Sequence, residues 1–459
     1  MDKDKILNKT YAILGAARSG IGIARFLKRK GANVFISDSS PEDALLYLNK
    51  DILINEKIDF ELNGHTDKVF DYDIIIKSPG IKPDSDIIKK ALAKGKKVYS
   101  EIEVASWFCD VPIIAVTGTN GKTTTTVLIG EILARHGFDV KVCGNVGLAF
   151  SEVLDGLNEN SIVVLETSSF QLYNTEYFRP KVAIVLNVTV DHLDWHGSFD
   201  NYFEAKTNIN AKQADEDYFI YNYDDPECKT RYAGRVLNGN VQAFSYDAEV
   251  KKYFRSGAYV EDNKIIYFDI SKYIYPPIID VRDIYIKGKH NVQNAMAAIL
   301  AAKVFQVTDD VIADTLKTFE GVEHRIEFVR EINNIKFYND SKATNFDSTY
   351  VALESFPSDI MLIMGGKKGD NNFARVDEYM SKRVKKIYAI GQSKDAIYEY
   401  YSGRKEVIKC DSLEEAVKKA YADSKSGDIV LFSPAYKSFD MFRNFEHRGE
   451  EFKKFVNNL

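Results

Sequence analysis

The sequence predicts an α/β protein of three domains in series, and three observations carry that prediction. Short apolar runs alternate with amphipathic helical stretches along most of the chain, the pattern of mostly parallel sheets covered by helices. The 459 residues exceed what one core absorbs at roughly 150 residues per domain. Hydrophobic residues make up 45% and charged residues 28%, which is globular composition and excludes disorder or a low-complexity fibre. Lysine and arginine total 61 against 67 aspartates and glutamates, a net charge of −6. That balance argues against a coat for nucleic acid or anionic membrane, but allows a small polyanion in a locally basic cleft.

The first domain is placed at 1–105. Tyr11-Ala-Ile-Leu14 reads as a strand, followed by a small-residue turn and a helical pattern from Ile21. Asn33-Val-Phe-Ile-Ser-Asp38 reads as a second strand ending on an acid, and Tyr72-Asp-Ile-Ile-Ile-Lys-Ser78 and Lys97-Val-Tyr-Ser100 continue the series. The second domain, 106–322, opens at Val111-Pro-Ile-Ile-Ala-Val116, a buried-type strand running into a glycine turn and a helix. Strands at 161–165 and 182–186 are its expected neighbours, each with polar residues just past its C-terminal end, where open α/β sheets bind ligands. From 218 to 281 short alternations rich in tyrosine and charge read as a strand-rich insertion, and 290–304 as a small-residue helix. The third domain, 323–459, has candidate strands at 336–338, 360–364, 386–390 and 429–432, with helices between them such as Ser412-Leu-Glu-Glu-Ala-Val-Lys-Lys-Ala420.

Met1-Asp-Lys-Asp-Lys-Ile-Leu-Asn-Lys-Thr10 has no apolar core of a secretory signal, and no stretch approaches the roughly 18 apolar residues that cross a bilayer. Cys109, Cys143, Cys228 and Cys410 lie far apart, so free thiols in a reducing cytoplasm are expected, without disulfides or structural zinc.

The sharpest chemical signal is Thr117-Gly118-Thr119-Asn120-Gly121-Lys122-Thr123-Thr124-Thr125, between a strand and a helix. Glycines let backbone N–H groups close on phosphate oxygens, and the helix N-terminus adds positive charge. Lys122 can reach the β- and γ-phosphates and the Thr123 hydroxyl can ligate Mg²⁺. The general pattern wants glycine at position 116, where this chain has Val116, so the loop is a shortened variant built on Gly118. ATP or GTP binding is the expectation, against a plain glycine turn with a surface lysine. Glu166 and His192 follow the two neighbouring strands. If those strands flank the loop strand, a carboxylate and an imidazole arrive beside the triphosphate and complete a Mg²⁺ shell. Taken alone, His192 is an ordinary hydrogen-bonded loop histidine. The turn Gly15-Ala-Ala-Arg-Ser-Gly20 is weaker. A dinucleotide fingerprint needs glycine where Ala17 stands, and the segment reads equally as a βα turn or a nucleotide-diphosphate site, with Asp38 placed for a ribose or base.

Thr117-Gly-Thr-Asn-Gly-Lys-Thr123, Gly144-Asn-Val-Gly147, Leu165-Glu-Thr-Ser-Ser169, Asn187 with Asp191-His192, and His290-Asn-Val-Gln-Asn294 resemble the Mur ligases in order and spacing. These are ATP-dependent amide ligases of bacterial cell-wall precursor synthesis. His324-Arg-Ile-Glu327, Asn339-Asp-Ser-Lys-Ala-Thr-Asn345, and Ser433-Pro-Ala435 followed by Ser438-Phe-Asp440 look like the branch that adds D-glutamate. The resemblance implies a Rossmann-like N-terminal domain, a central P-loop ATPase-like parallel sheet and a Rossmann-like C-terminal domain. It implies UDP-N-acetylmuramoyl-L-alanine and D-glutamate as substrates, with ATP and Mg²⁺, in a cytoplasmic monomer that engages no nucleic acid and inserts in no membrane. Asp38, Ser39, Gly80, Asn145, Ser168 and Gln171 would contact the sugar nucleotide. Gly118, Thr119, Asn120, Gly121, Lys122, Thr123 and Thr124, with Asn291, Asn294, Arg325 and Asp340, would contact ATP. Thr123, Glu166, His192 and Lys206 would serve metal, Lys206 as the carbamylated lysine of the family; by residue type alone it is a solvated helix lysine. Lys342, Thr344, Ser438, Phe439 and Phe445 would hold D-glutamate, with a basic residue from Lys367 or Lys368 left unassigned. Lys122, His192 and Lys206 would carry catalysis.

In that reading the substrate carboxylate attacks the γ-phosphorus to give an acyl phosphate, and the amine of D-glutamate then displaces phosphate. The rivals are a folylpolyglutamate-type ligase, a nucleotide-dependent switch without ligation, and a nicotinamide oxidoreductase built on the Gly15 turn.

Overall fold

The computed structural model describes residues 6–42, 45, 48–145, 147–235, 237–369 and 371–459. The first five residues, and Val146 of the Gly144-Asn-Val-Gly147 motif, lie outside the described residues.

The first sheet contains β1 (Thr10–Leu14), β2 (Asn33–Ser37), β3 (Asp59–Glu61), β4 (Ile74–Lys77) and β5 (Lys97–Ser100) in the order β3-β2-β1-β4-β5. All neighbours are parallel. Strand order reverses between β1 and β4, so the binding crevice of such a sheet opens at their carboxyl ends, where Leu14 lies beside Lys77. Helix α1 (Arg18–Arg29) crosses one face and buries Ile23, Phe26 and Leu27.

The second sheet contains β6 (Ile113–Thr117), β7 (Asp139–Gly144), β8 (Ser161–Glu166), β9 (Val182–Val185), β10 (Tyr218–Asn222), β11 (Asn240–Ser245), β12 (Ser256–Glu261), β13 (Lys264–Asp269) and β14 (Pro277–Asp280). Their order is β14-β13-β12-β11-β10-β9-β6-β8-β7, parallel except at β12–β13 and β13–β14. The stretch 218–281 is therefore no insertion. Its five strands extend the sheet itself, because β10 pairs in parallel with β9 and only the last two turn back as hairpins. The helices that matter for the site are α2 (Lys122–His136), α3 (Phe199–Thr207) and α4 (Lys289–Val304).

The third sheet contains β15 (Glu327–Ile332), β16 (Ile335–Asn339), β17 (Ile360–Gly365), β18 (Val384–Ile390), β19 (Glu406–Lys409) and β20 (Ile429–Phe432) in the order β15-β16-β20-β17-β18-β19. Only β15 is antiparallel to its neighbour. Helix α5 (Phe445–Asn457) buries Phe452 and Val456.

The chain divides into two compact units. One runs to Ile284 and includes Val292–Thr318; the other combines Tyr285–Asn291 with Phe319–Leu459. The first two sheets share a unit because one hydrophobic cluster runs through both, from Ile13, Phe26 and Ile36 to Ala115, Val163 and Val185. The second unit has its own cores on the two faces of its sheet, around Leu362 and Leu431 on one side and Ile363 and Phe432 on the other.

Candidate functional site

The central strand β6 is buried along its whole length and lies between β8 and β9. The condition set by the sequence is thus met. The segments after all three strands leave one sheet edge together, with Val116 opposite Glu166 and Thr117 opposite Val185. Gly121 stands at the entrance to α2 with φ +83°, and a Cβ there would lie 2.5 Å from Asn294 Oδ1 on α4. Glycine is required on both counts. Asn187, just past β9, braces the loop from outside. Its Oδ1 accepts from the Asn120 N–H at 2.8 Å, and its Nδ2 donates to the Asn120 carbonyl at 3.1 Å. The Thr119 hydroxyl lies 3.0 Å from the Tyr202 hydroxyl of α3. Thr123 and Thr124 are buried in the first turn of α2. Lys122 Nζ donates to the carbonyls of Gly118 and Thr119, each at 2.8 Å.

Lys206, far from being solvated, is 2% exposed, and its Nζ donates to the same Gly118 carbonyl at 2.8 Å. Burial first, and the Lys122 charge second, hold its amine well below the usual lysine range. Glu166 is equally buried. One carboxylate oxygen accepts from Asn145 Nδ2 at 2.9 Å, while Oε2 is buried with no partner among the described residues. His192 has φ +52°, a conformation that costs a non-glycine residue and recurs at functional sites. Its ring centre lies 4.7 Å from that of Phe170, and burial pulls its imidazole below the usual range. Among the described residues no three histidine, cysteine, aspartate or glutamate side chains converge as a metal cage. The expected set does not need one, since it combines Thr123, Glu166, His192 and a modified Lys206. A hard cation wanting oxygen ligands fits the orphaned Glu166 oxygen and the Thr123 hydroxyl.

In the crevice of the first sheet, Asp38 is buried. Its Oδ2 accepts from the Ala16 N–H at 2.6 Å and its Oδ1 from the Ser40 N–H at 2.8 Å, so the carboxylate shapes the glycine turn itself. Ser39, Gly80 and Asn145 are exposed. Ser168 and Gln171 close a capping box on the one-turn helix Ser169–Leu172, with the Ser168 N–H on Gln171 Oε1 at 2.9 Å. Asn294 is buried against the phosphate loop, and Asn291 lies one turn earlier on α4, its Nδ2 on the Lys287 carbonyl at 2.8 Å.

In the second unit, Asp340 follows β16 and Ser433 follows β20. The Ser433 hydroxyl donates to Asp340 Oδ2 at 2.7 Å, and burial pushes the Asp340 carboxyl up to about 7, against the pull of Ser433 and the Arg325 charge. Arg325 and Thr344 are half-buried, Ser438 is buried and Phe439 exposed. The Lys342 ammonium stands 5.7 Å from the centre of the Phe445 ring. Lys367 and Lys368 are both exposed after β17; the Lys367 N–H donates to the Lys437 carbonyl at 2.8 Å. The residues expected at the acceptor amino acid therefore sit on loops leaving β16, β20 and β17 at one sheet edge, or at the start of α5.

Three domain families match the sequence. The Mur ligase middle domain matches residues 116–302, the Mur ligase glutamate ligase domain 324–436, and the MurD N-terminal domain 12–87. A UDP-N-acetylmuramoylalanine–D-glutamate ligase from Caldicellulosiruptor bescii is 42% identical over 457 residues, 98% of each chain. The chain belongs to the Mur ligase family. Among solved Mur ligases, UDP-N-acetylmuramate-alanine ligase from Thermotoga maritima shares the fold with TM-score 0.59 at 19% identity, covering 98% of this chain and 100% of that one. Escherichia coli FolC, solved with DHPP and ADP, shares it with TM-score 0.57 at 17% identity over 78% of this chain and 92% of that one.

Two features of this Mur ligase escaped the sequence. Lys77 is 2% exposed, and burial pushes its amine down to about 8. Arg448 on α5 is 1% exposed. It donates from Nε to Ser341 Oγ at 3.0 Å, from Nη2 to the Ser341 carbonyl at 2.7 Å and from Nη1 to the Tyr436 carbonyl at 2.9 Å. Burial pushes its guanidinium down to about 10, which still leaves it a cation at neutral pH. No spacing marks either residue, since burial is a property of the assembled sheet edge.

Proposed function

We propose that the chain joins D-glutamate to UDP-N-acetylmuramoyl-L-alanine in peptidoglycan precursor synthesis, driven by ATP. It is an ATP-dependent ligase of its family, and the observation that carries the substrate assignment is 42% identity with a relative of that name across 98% of both chains. The profile match at 12–87 supports the same branch. A folylpolyglutamate-type activity has only the likeness of fold to FolC in its favour.

The domain roles follow: sugar nucleotide in 1–105, ATP in 106–322 and amino acid in 323–459. Carboxylate is a poor electrophile. Its oxygen attacks the γ-phosphorus, the bond to the ADP oxygen breaks, and an acyl phosphate forms. The amine of D-glutamate adds to that carbonyl, phosphate leaves with the C–O bond pair, and the amine loses a proton. Two anions meet in the first step, so charge neutralisation dominates. Lys122 supplies a cation to the γ-phosphate while the amides of 118–123 hold the others. The neutral amine favoured by burial at Lys206 is the form that adds CO₂, giving a carbamate and releasing a proton. Thr123, Glu166, His192 and carbamylated Lys206 would then hold Mg²⁺, which when bound supplies further neutralisation of the phosphates. Lys342, Thr344, Ser438, Phe439 and Phe445 would orient the amino acid, with Lys367 or Lys368 near its carboxylates. We place the reaction in the cytoplasm, in a monomer that engages neither nucleic acid nor bilayer; among the described residues no helix is long and apolar enough to cross a membrane.

The test is phosphate release from ATP with UDP-N-acetylmuramoyl-L-alanine and each glutamate enantiomer in turn. Release is expected with D-glutamate alone. Release indifferent to the amino acid, or supported by a pteroyl substrate instead, overturns the assignment.

A further inference from the structure

We propose that Lys77 is a positioning residue that couples the loop after β4 to the segment carrying His192. The inference rests on the reading of 78–81 as part of the sugar-nucleotide subsite and of His192 as a residue of the nucleotide–metal side. Lys77 ends β4 at the point where strand order reverses. Its ammonium donates to the Ile81 carbonyl at 2.9 Å, closing the loop that contains Gly80, and stands 5.0 Å from the ring centre of Trp195.

Trp195 belongs to the one-turn helix Leu193–His196, which folds straight back on His192. The N–H groups of Trp195 and His196 both donate to the His192 carbonyl at 3.1 Å. A second strap runs in parallel, from Lys82 Nζ to the Asp194 carbonyl at 2.6 Å. Phe170 completes the contact, its ring centre 4.7 Å from His192 and 4.9 Å from Trp195. One short loop of the first sheet thus grips the turn that fixes the backbone of His192.

A purely structural contact at this place would be cheaper with an apolar side chain, because burying an ammonium costs desolvation that one carbonyl and one aromatic face only partly offset. Nor is the surrounding network closed. Trp195 Nε1 and His196 Nδ1 are buried with no partner among the described residues. A ligand seated on Gly80 that fixes the loop also fixes the ammonium, then Trp195, then His192. Binding of the sugar nucleotide and of the metal–nucleotide complex should therefore favour each other.

Calorimetric titration of the full chain with UDP-N-acetylmuramoyl-L-alanine, with and without Mg²⁺ and ADP, measures this without turnover. In the wild type, Mg²⁺–ADP tightens sugar-nucleotide binding at least about fivefold, the low end of couplings between sites. In Lys77→Met, which keeps the stem and removes the charge, Mg²⁺–ADP alone binds as in wild type and the ratio falls to near one. Trp195→Leu, which removes the ring, gives the same loss and carries the test if Lys77→Met does not fold. A wild-type ratio in either folded variant, or a ratio of one in the wild type, overturns the proposal. Failure of the wild type to bind the sugar nucleotide at all overturns the functional reading beneath it instead.

Discussion

Lys206 and Glu101 illustrate at the residue scale how burial rewrites side-chain chemistry. Lys206 has nothing in its local sequence to distinguish it from a surface lysine; only the family resemblance marked it, and the structure then removed it from water beneath Gly118. Lys206→Ala should be nearly inactive with an unchanged melting temperature, and a short carboxylate added to the assay should restore part of the turnover, as seen by phosphate release. Nothing in the sequence around Glu101 sets it apart either. One of its oxygens accepts the Ser151 N–H at 2.7 Å, the other is buried without a partner among the described residues, and burial pushes the carboxyl up from 4.5 to about 7. The folded state therefore holds its proton more tightly than the unfolded chain, so this group's contribution is full below pH 4.5 and is lost as pH rises toward 7. Above that the ionised form costs roughly 3 kcal/mol. Glu101→Gln should gain on the wild type by about that amount at pH 8 and by little at pH 4.5, which urea unfolding at the two values checks.

Among the elements, the phosphate loop was the most legible because its chemistry dictates its residues: β6, a glycine that tolerates φ +83°, and a helix opening on Lys122. Gly121→Ala should cost roughly 1–2 kcal/mol in backbone strain. It also drives a methyl toward Asn294 Oδ1, so ADP binding by calorimetry should weaken at least about tenfold. Elements whose role is fixed by neighbours were harder to see. Asp139-Val-Lys-Val-Cys-Gly144 forms the edge strand β7, but with polar residues between its valines it carries no continuous apolar run. β15 has only one partner, and its Glu327-Phe-Val-Arg-Glu-Ile332 pattern is largely solvent-facing. The tyrosine-rich stretch from 218 displayed its strands but not their destination, since pairing with β9 is decided by contacts distant in sequence.

For the whole molecule, the alternation of strand and helix foretold three sheets, but not that the first two share a hydrophobic cluster while the third stands on its own cores. Two independent sets of buried contacts should melt separately, so scanning calorimetry of the ligand-free chain is expected to record more than one transition, and a single two-state peak would contradict it. The fork of Arg448 has a practical corollary for redesign. One guanidinium secures Ser341 on one loop and Tyr436 on another from a helix at the far end of the chain. Grafting either loop alone from a relative of different amino-acid preference would strand a buried cation, whereas moving both loops with α5 transplants the fastening along with the parts it fastens.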